Sequence, residues 1–80
     1  MPDFLVPVSA EFREAVKAAG LRGRSQRQIA KAVGAQSAFL SEVLSGRRLV
    51  DVGDPRIERI AELLGVSHPF DVSKIAAPHV

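Results

Sequence analysis

The stretch of sequence that decides the fold reads SQRQIAKAVGAQSAFLSEVLSGRR and runs from Ser25 to Arg48. It contains two short helical patterns. Ser25 followed by Gln28 has the Ser-x-x-Gln spacing of a capping box, in which side chains satisfy free backbone amides, and this predicts the start of one helix. Gly34 ends that helix, and a second helix is predicted from Ser37 to Leu44. Two helices with so short a connection must pack on each other.

Five residues of this stretch have the spacing Q-x3-A-x3-G-x5-L-x2-V: Gln26, Ala30, Gly34, Leu40 and Val43. A small residue at Ala30 lets the two helices cross closely, and Gly34 permits the positive backbone φ of a sharp turn. Leu40 and Val43 lie three residues apart, so they form the buried side of the helix predicted from Ser37 to Leu44. The outer side is then predicted to consist of Ser37, Ala38, Ser41, Glu42 and Ser45.

Two further helices are predicted, one on each side of this pair. Ser9 is a suitable N-cap for the first, which we expect to end at Gly20, with Leu21 turning back into the core. Asp54 followed by Pro55 predicts the start of the last, because the carboxylate caps the helix and proline needs no amide partner there. The inward apolar residues of the four helices are predicted to be Phe12, Ala15, Val16, Ala19, Ile29, Ala30, Val33, Leu40, Val43, Leu44, Ile57, Ile60, Ala61 and Leu64.

The two ends of the chain differ from this helical part. Residues 1–8 form an apolar arm in which Phe4, Leu5 and Val6 lie between prolines, which predicts an extended arm or an edge strand. Residues 9–66 form the helical domain, and residues 67–80 form a tail that proline interrupts too often for a long helix. The apolar residues of the tail are Phe70, Val72 and Ile75. We expect the tail to dock on the domain or on another subunit.

Positive charge is concentrated in the middle of the 80-residue chain. The net charge is only +2, but residues 17–48 contain seven lysines and arginines and one acidic residue, Glu42. A chain of this length forms one small domain. Its central segment is therefore either a solvated helical face or a surface that binds a polyanion such as nucleic acid.

Several other classes of function have little support in the sequence. There is no cysteine, and His68 and His79 have no companion at metal-binding spacing, so we expect no metal, no cofactor and no enzymatic activity. The apolar runs are far shorter than the roughly 20 residues that span a bilayer. We therefore expect a soluble protein of the cytoplasm that has no membrane association.

From about Ser9 to Val66 the sequence resembles the Cro/repressor (Xre-like) family of helix-turn-helix DNA-binding domains. The resemblance is densest between Ser25 and Arg48, where residues 36–42 look like the recognition helix and residues 46–48 look like the glycine-basic exit after it. It implies an all-α fold, a compact bundle of four to five short helices of the lambda-repressor-like type. It also implies that the third helix enters the major groove by its N-terminal end while the second crosses the DNA backbone.

The resemblance also implies roles for individual residues. The residues that would face the bases are Gln36, Ser37, Ala38, Ser41 and Glu42. The candidates for phosphate contacts are Gln26, Arg22, Arg24, Arg27, Arg47 and Arg48. Three alternatives stay open: Glu42 could be a solvated residue that repels phosphate, Gln26 an ordinary surface residue, and Phe39 a packing residue at the helix junction, a base contact or both.

The function that follows from the resemblance is sequence-specific regulation of transcription by binding double-stranded DNA, as in a small bacterial or bacteriophage repressor. We expect a homodimer on a near-palindromic operator, because one domain of this size covers few base pairs. The dimer contact candidates are Phe70, Val72 and Ile75, with Phe4 and Leu5 as further ones. The ends could instead fold back on their own subunit. An antitoxin or anti-repressor that binds another protein is the alternative function, and no small-molecule ligand is expected.

Overall fold

The computed structural model describes residues 5–74, and this range contains four α-helices. They are α1 (Ala10–Leu21), α2 (Gln26–Ala32), α3 (Ser37–Ser45) and α4 (Pro55–Leu64). Two short strands, β1 (Leu5–Val6) and β2 (Val50–Asp51), and a 3₁₀-helix at Val72–Lys74 complete the described elements. The prediction of an all-α fold, a compact bundle of four to five short helices, is confirmed.

Three of the helices begin at the predicted caps. The Ser9 hydroxyl accepts the amide of Phe12 at 3.1 Å at the start of α1. At α2 both halves of the capping box form, since Ser25 Oγ accepts the Gln28 amide at 3.2 Å and Gln28 Oε1 accepts the Ser25 amide at 2.9 Å. Asp54 caps α4 directly before Pro55. These bonds satisfy amides that have no partner inside the helix, and they fix where each helix begins.

The predicted end of α1 is wrong. The helix continues through Gly20 to Leu21, and the residue with positive φ is Gly23, at 92°. The amide of Gly23 bonds to the carbonyl of Gly20 and the amide of Arg24 to that of Ala19, at 3.1 and 2.9 Å, which closes the helix. Leu21 consequently lies outside the core with 84% of its surface exposed. Glycine is tolerated inside a helix, so Gly20 alone was a poor stop signal.

The helical fold also contains a small antiparallel sheet, which β1 and β2 form. Leu5 pairs with Asp51 and Val6 with Val50. The edge-strand prediction for the arm is therefore confirmed for Leu5–Val6, whereas Phe4 lies outside the described residues. The strand at Val50–Asp51 was not predicted, since two residues are too few to show an alternating pattern.

The described part of the tail packs on its own domain. Phe70 forms a bridge with Val8, the amide of Ser9 donates to the carbonyl of Pro69 at 2.8 Å, and the amide of Asp71 donates to that of Pro7 at 3.0 Å. The amide of Ser67 also donates to the Glu11 carboxylate at 2.9 Å. Residues 5–8 and 67–71 therefore fold back on their own subunit, which was the alternative prediction for the two ends.

Among residues 5–74, one hydrophobic core joins the helices to the described parts of the arm and tail. The buried apolar residues are Val6, Val8, Phe12, Val16, Ala19, Ile29, Ala30, Phe39, Leu40, Val43, Val50, Ile57, Ile60, Ala61 and Val66. The residues partly buried against them are Ala15, Val33, Ala35, Leu44, Leu64 and Phe70. Every inward residue predicted from the helical periodicity belongs to one of these two groups. The core residues that the periodicity did not predict are Val6 and Val8 of the arm, Val50 of β2, Phe70 of the tail, and Ala35, Phe39 and Val66 of the helical domain.

Candidate nucleic-acid interface

The junction of α2 and α3 has the geometry that the spacing predicted. The two helices pack directly on each other, and Ala30 of α2 and Leu40 and Val43 of α3 are buried. Gly34 has a φ of 74°, which a residue with a side chain adopts only at a cost, and the Ala35 amide bonds back to the Ala30 carbonyl at 2.8 Å. The sharp turn therefore holds α3 in a fixed orientation across α2.

The outward side of α3 is a polar, exposed surface. The five residues predicted to face bases, Gln36, Ser37, Ala38, Ser41 and Glu42, are all exposed. Gln36 is the N-cap residue by position, but its side chain makes no capping hydrogen bond. The amide group of Gln36 is therefore free to donate to and accept from a ligand at the N-terminal end of α3.

Phe39 lies in the core and is not on this exposed side. Only 4% of its surface is accessible. Two guanidinium groups cover its ring, that of Arg56 at 3.7 Å from the ring centroid and that of Arg48 at 5.0 Å. Of the two roles considered for Phe39, packing at the helix junction is the one that the geometry supports. The ring also fixes both arginines next to α3, through cation–π attraction.

The predicted phosphate contacts fall into two electrostatic groups. Gln26 and all five arginines are exposed. Within residues 5–74, no ion pair or hydrogen bond engages the side chains of Arg22, Arg24, Arg27 and Arg47. Arg48 differs, because its Nη1 lies 3.3 Å from Oε1 of Glu42. Four positive charges are thus available to a polyanion, and the fifth is already partnered by a carboxylate.

Two basic residues that were not among the predicted phosphate contacts line a groove shared with two that were. Arg13 and Lys17 of α1 line a groove together with Arg24, Gln26 and Leu44. They lie four residues apart, so they share one face of α1. That spacing was visible in the sequence, but Arg13 stands in a stretch whose net charge is negative, which concealed its position next to α2.

Arg56 is a further residue that the sequence reading missed. Its Nε and Nη2 donate to the two carboxylate oxygens of Asp54 at 3.2 and 3.0 Å, and its backbone amide donates to Oδ1 at 2.9 Å. Burial by itself would raise the pKa of Asp54, but these hydrogen bonds and the charge of Arg56 outweigh it and hold the pKa below its ordinary value. The carboxylate in turn raises the pKa of Arg56.

Other kinds of site are not apparent in the described part of the chain. Residues 5–74 contain no cluster of three histidine or acidic side chains that could bind a metal ion. No helix among those residues is long and apolar enough to cross a bilayer.

The dimer candidates are placed differently from one another: Phe70 is half-buried on its own domain, Val72 is 56% exposed, and Ile75 lies outside the described residues.

Comparison with known proteins agrees with this geometry. Residues 8–69 match the family described as a helix-turn-helix domain. No curated protein and no solved structure matches the chain. The matched region contains α1 to α4 and the whole α2–α3 junction. It covers most of the sequence, so this chain belongs to the helix-turn-helix domain family.

Proposed function

We propose that this protein is a sequence-specific regulator of transcription that binds double-stranded DNA, of the Cro/repressor (Xre-like) kind found as small bacterial or bacteriophage repressors. The observation that carries the proposal is the exposed polar side of α3, together with arginines of the α2–α3 unit that have no ion pair within residues 5–74. A helix of this width fits the major groove of B-DNA, where each base pair presents a distinct pattern of donors and acceptors. The protein would repress by occupying its operator.

The exposed side of α3 would read the bases. Gln36 at the N-terminal end has the donor and acceptor that match the edge of adenine. Ser37 and Ser41 can donate or accept, and Ala38 can contact the methyl group of thymine. Glu42 can accept from the amino group of cytosine once its carboxylate is free of Arg48.

The basic side chains would contact phosphates and fix the position of α3. Arg24 and Gln26 flank the start of α2, and the groove that they share with Arg13 and Lys17 extends the positive surface onto α1. Arg47 would contact a phosphate just beyond the C-terminal end of α3. Arg22 and Arg27 are further candidates for phosphate contacts. Such contacts supply affinity that does not depend on sequence.

Two copies would bind one near-palindromic operator. An α3 of nine residues reads only a few base pairs, too few for tight and specific binding by one domain. A symmetric pair would place two α3 helices about 34 Å apart, one turn of DNA. Val72 is the described dimer candidate with the most exposed apolar surface.

The proposal is tested by binding to a fluorescent random-sequence duplex at several salt concentrations. We expect affinity to fall steeply with salt, and Arg24→Ala and Arg47→Ala each to lower the log–log slope by roughly 0.9, the value for one lost phosphate contact. Arg59→Ala is the matched control, since Arg59 is an exposed arginine on α4 to which we assign no DNA contact.

Two outcomes would overturn the proposal. One is a wild-type protein that does not bind duplex DNA at low salt but co-purifies with one protein partner, as an antitoxin or anti-repressor would. The other is an unchanged affinity and slope in both arginine variants when circular dichroism shows that they are folded. The first outcome contradicts the proposed DNA-binding function, and the second contradicts the proposed phosphate contacts of Arg24 and Arg47.

A further inference from the structure

Glu42 is the only acidic residue among residues 17–48, and it lies on the side of α3 assigned to DNA. A carboxylate at that place repels phosphates unless a donor partners it. The structure provides such a donor within the chain, because Glu42 Oε1 lies 3.3 Å from Nη1 of Arg48. The two side chains thus form an ion pair on the surface proposed for DNA.

The backbone directs Arg48 toward Glu42. After α3 the amides of Arg47 and Arg48 both donate to the carbonyl of Glu42, at 3.0 and 3.3 Å, and the Ser45 hydroxyl donates to it at 3.0 Å. The chain is therefore folded back along the last turn of the helix. The guanidinium of Arg48 also lies 5.0 Å from the centroid of the Phe39 ring, which gives it a second favourable contact.

The neighbouring arginine is a natural comparison. Arg47 is exposed and follows the same helix end, but in the part of the chain that the structure describes its side chain has no ion pair or ring contact. Arg47 can therefore contact a phosphate without losing an interaction. Arg48 must first leave Glu42 and Phe39.

We propose that Glu42 is a specificity-determining residue that acts by holding Arg48 away from DNA phosphates. This inference rests on the proposed DNA-binding function and adds to it a device that lowers affinity for random DNA. With Arg48 partnered, one fewer cation is available to displace counterions from the duplex. Specificity is the difference between cognate and random affinities, so it rises if Glu42 holds Arg48 on random DNA and releases it on the operator, where Glu42 accepts from a cytosine.

The size of the effect follows from the exposure of the pair. The two side chains are 49% and 48% exposed, and ion pairs of this kind contribute little to folding because water screens them. Replacing Glu42 should therefore leave the fold intact. A freed Arg48 that gains a phosphate contact should increase the log–log salt slope by roughly 0.9.

The test is a double-mutant cycle with Glu42→Gln and Arg48→Ala on a random-sequence duplex of about 20 base pairs. We expect Glu42→Gln to bind this duplex about fivefold tighter at low salt, with a steeper slope. In the wild-type background, Arg48→Ala should change affinity by less than about twofold. In the Glu42→Gln background, it should remove most of the increase in affinity that Glu42→Gln produces. Arg47→Ala, the control, should cost the same in both backgrounds.

The result that would overturn the inference is a gain from Glu42→Gln that persists in full without Arg48, since this would be simple loss of repulsion. No gain from Glu42→Gln, or equal losses from Arg48→Ala and Arg47→Ala in the presence of Glu42, would overturn it as well. If the wild-type protein shows no salt-dependent binding to any duplex, the proposed function fails and this inference fails with it. Thermal unfolding of each variant confirms that differences in binding do not come from the fold.

Discussion

The carboxylate of Asp54 joins two helices through one neighbouring side chain. It caps α4 through the Arg56 amide and fixes the Arg56 guanidinium with two hydrogen bonds, and this guanidinium lies 3.7 Å from the centroid of the Phe39 ring on α3. Asp54 is 7% exposed, so its charge depends on these partners. A residue that starts one helix therefore also helps to hold the helix assigned to DNA.

The lowered pKa of Asp54 predicts how stability depends on pH. A carboxyl group whose pKa is lower in the folded state than its ordinary value of 3.8 adds stability above that value and loses it as the pH falls through the folded pKa. We expect Asp54→Asn to reduce the free energy of unfolding by about 1 kcal/mol at pH 7. The difference in the free energy of unfolding between variant and wild type should become smaller below about pH 4. Urea unfolding of both proteins at several pH values measures it, and a gap independent of pH would contradict the assignment.

Gln36 gives a prediction about sequence reading. Its side chain is exposed, makes no cap bond and lies at the N-terminal end of α3. Gln36→Ala should cost about 1–3 kcal/mol on the operator, relax the preference at one base pair and leave binding to random DNA nearly unchanged. Anisotropy titrations of both duplexes decide this. Equal losses on the two duplexes would mean that Gln36 positions the protein without reading sequence.

At the scale of elements, two glycines in similar sequence contexts have opposite roles. Gly20 lies inside α1, whereas Gly34 has a φ of 74° in the turn between α2 and α3. A Cβ atom added at either position would meet no atom of the surrounding structure within 4 Å, apart from the neighbouring residues and the helix backbone. The backbone conformation alone therefore separates the two sites.

This difference predicts substitutions of opposite sign. Gly20→Ala should raise the free energy of unfolding by roughly 0.5–1 kcal/mol, because alanine loses less entropy in a helix. Gly34→Ala should lower it by about 1–2 kcal/mol, because a left-handed conformation strains an L-residue. Chemical denaturation of the two variants checks both signs. A stabilising Gly34→Ala would show that the turn does not need the conformation described.

The elements differ in how far the sequence predicts them. The helices could be placed because local signals mark them: the capping box at Ser25, the Asp54-Pro55 start and the apolar spacing of Leu40 and Val43. The strand Val50–Asp51 and the bridge of Phe70 with Val8 depend on contacts between distant parts of the chain, which no local pattern encodes. The end of α1 was mispredicted because Gly20 precedes the glycine that is used, Gly23.

The candidate site shows the same division. The exposure of Gln36, Ser41 and Glu42 follows from the helical period of α3, so it was predictable. The groove that brings Arg13 and Lys17 to Arg24 depends on how α1 packs beside α2, and the Glu42–Arg48 pair depends on the chain reversal after α3. Such juxtapositions are tertiary and were not visible from spacing.

At the scale of the whole molecule, the packing of the ends bears on dimer formation. Phe70 packs on its own core, and the carbonyl of Pro69 accepts the amide of Ser9 at the start of α1. A deletion of residues 67–80 would remove these contacts together with any dimer surface. A point substitution at the exposed Val72 separates the two effects.

We expect the protein to sediment as a dimer at micromolar concentration and Val72→Asp to sediment as a monomer, because a buried carboxylate without a partner destabilises an apolar contact. Leu21→Asp is the matched control, since Leu21 is exposed and apolar but lies at the end of α1. Sedimentation equilibrium of the three proteins provides the measurement. If the wild type is monomeric and binds a single asymmetric site one-to-one, there is no symmetric dimer.

The most direct test of the central claim is selection of bound duplexes from a random library, followed by affinity measurements on the selected sequence and a scrambled version of it at physiological salt. If α3 reads bases as proposed, a near-palindromic sequence is enriched and binds on the order of 10³-fold tighter or more than the scrambled duplex. Absence of enrichment, or equal affinity for the two duplexes, would contradict sequence-specific DNA binding by this protein.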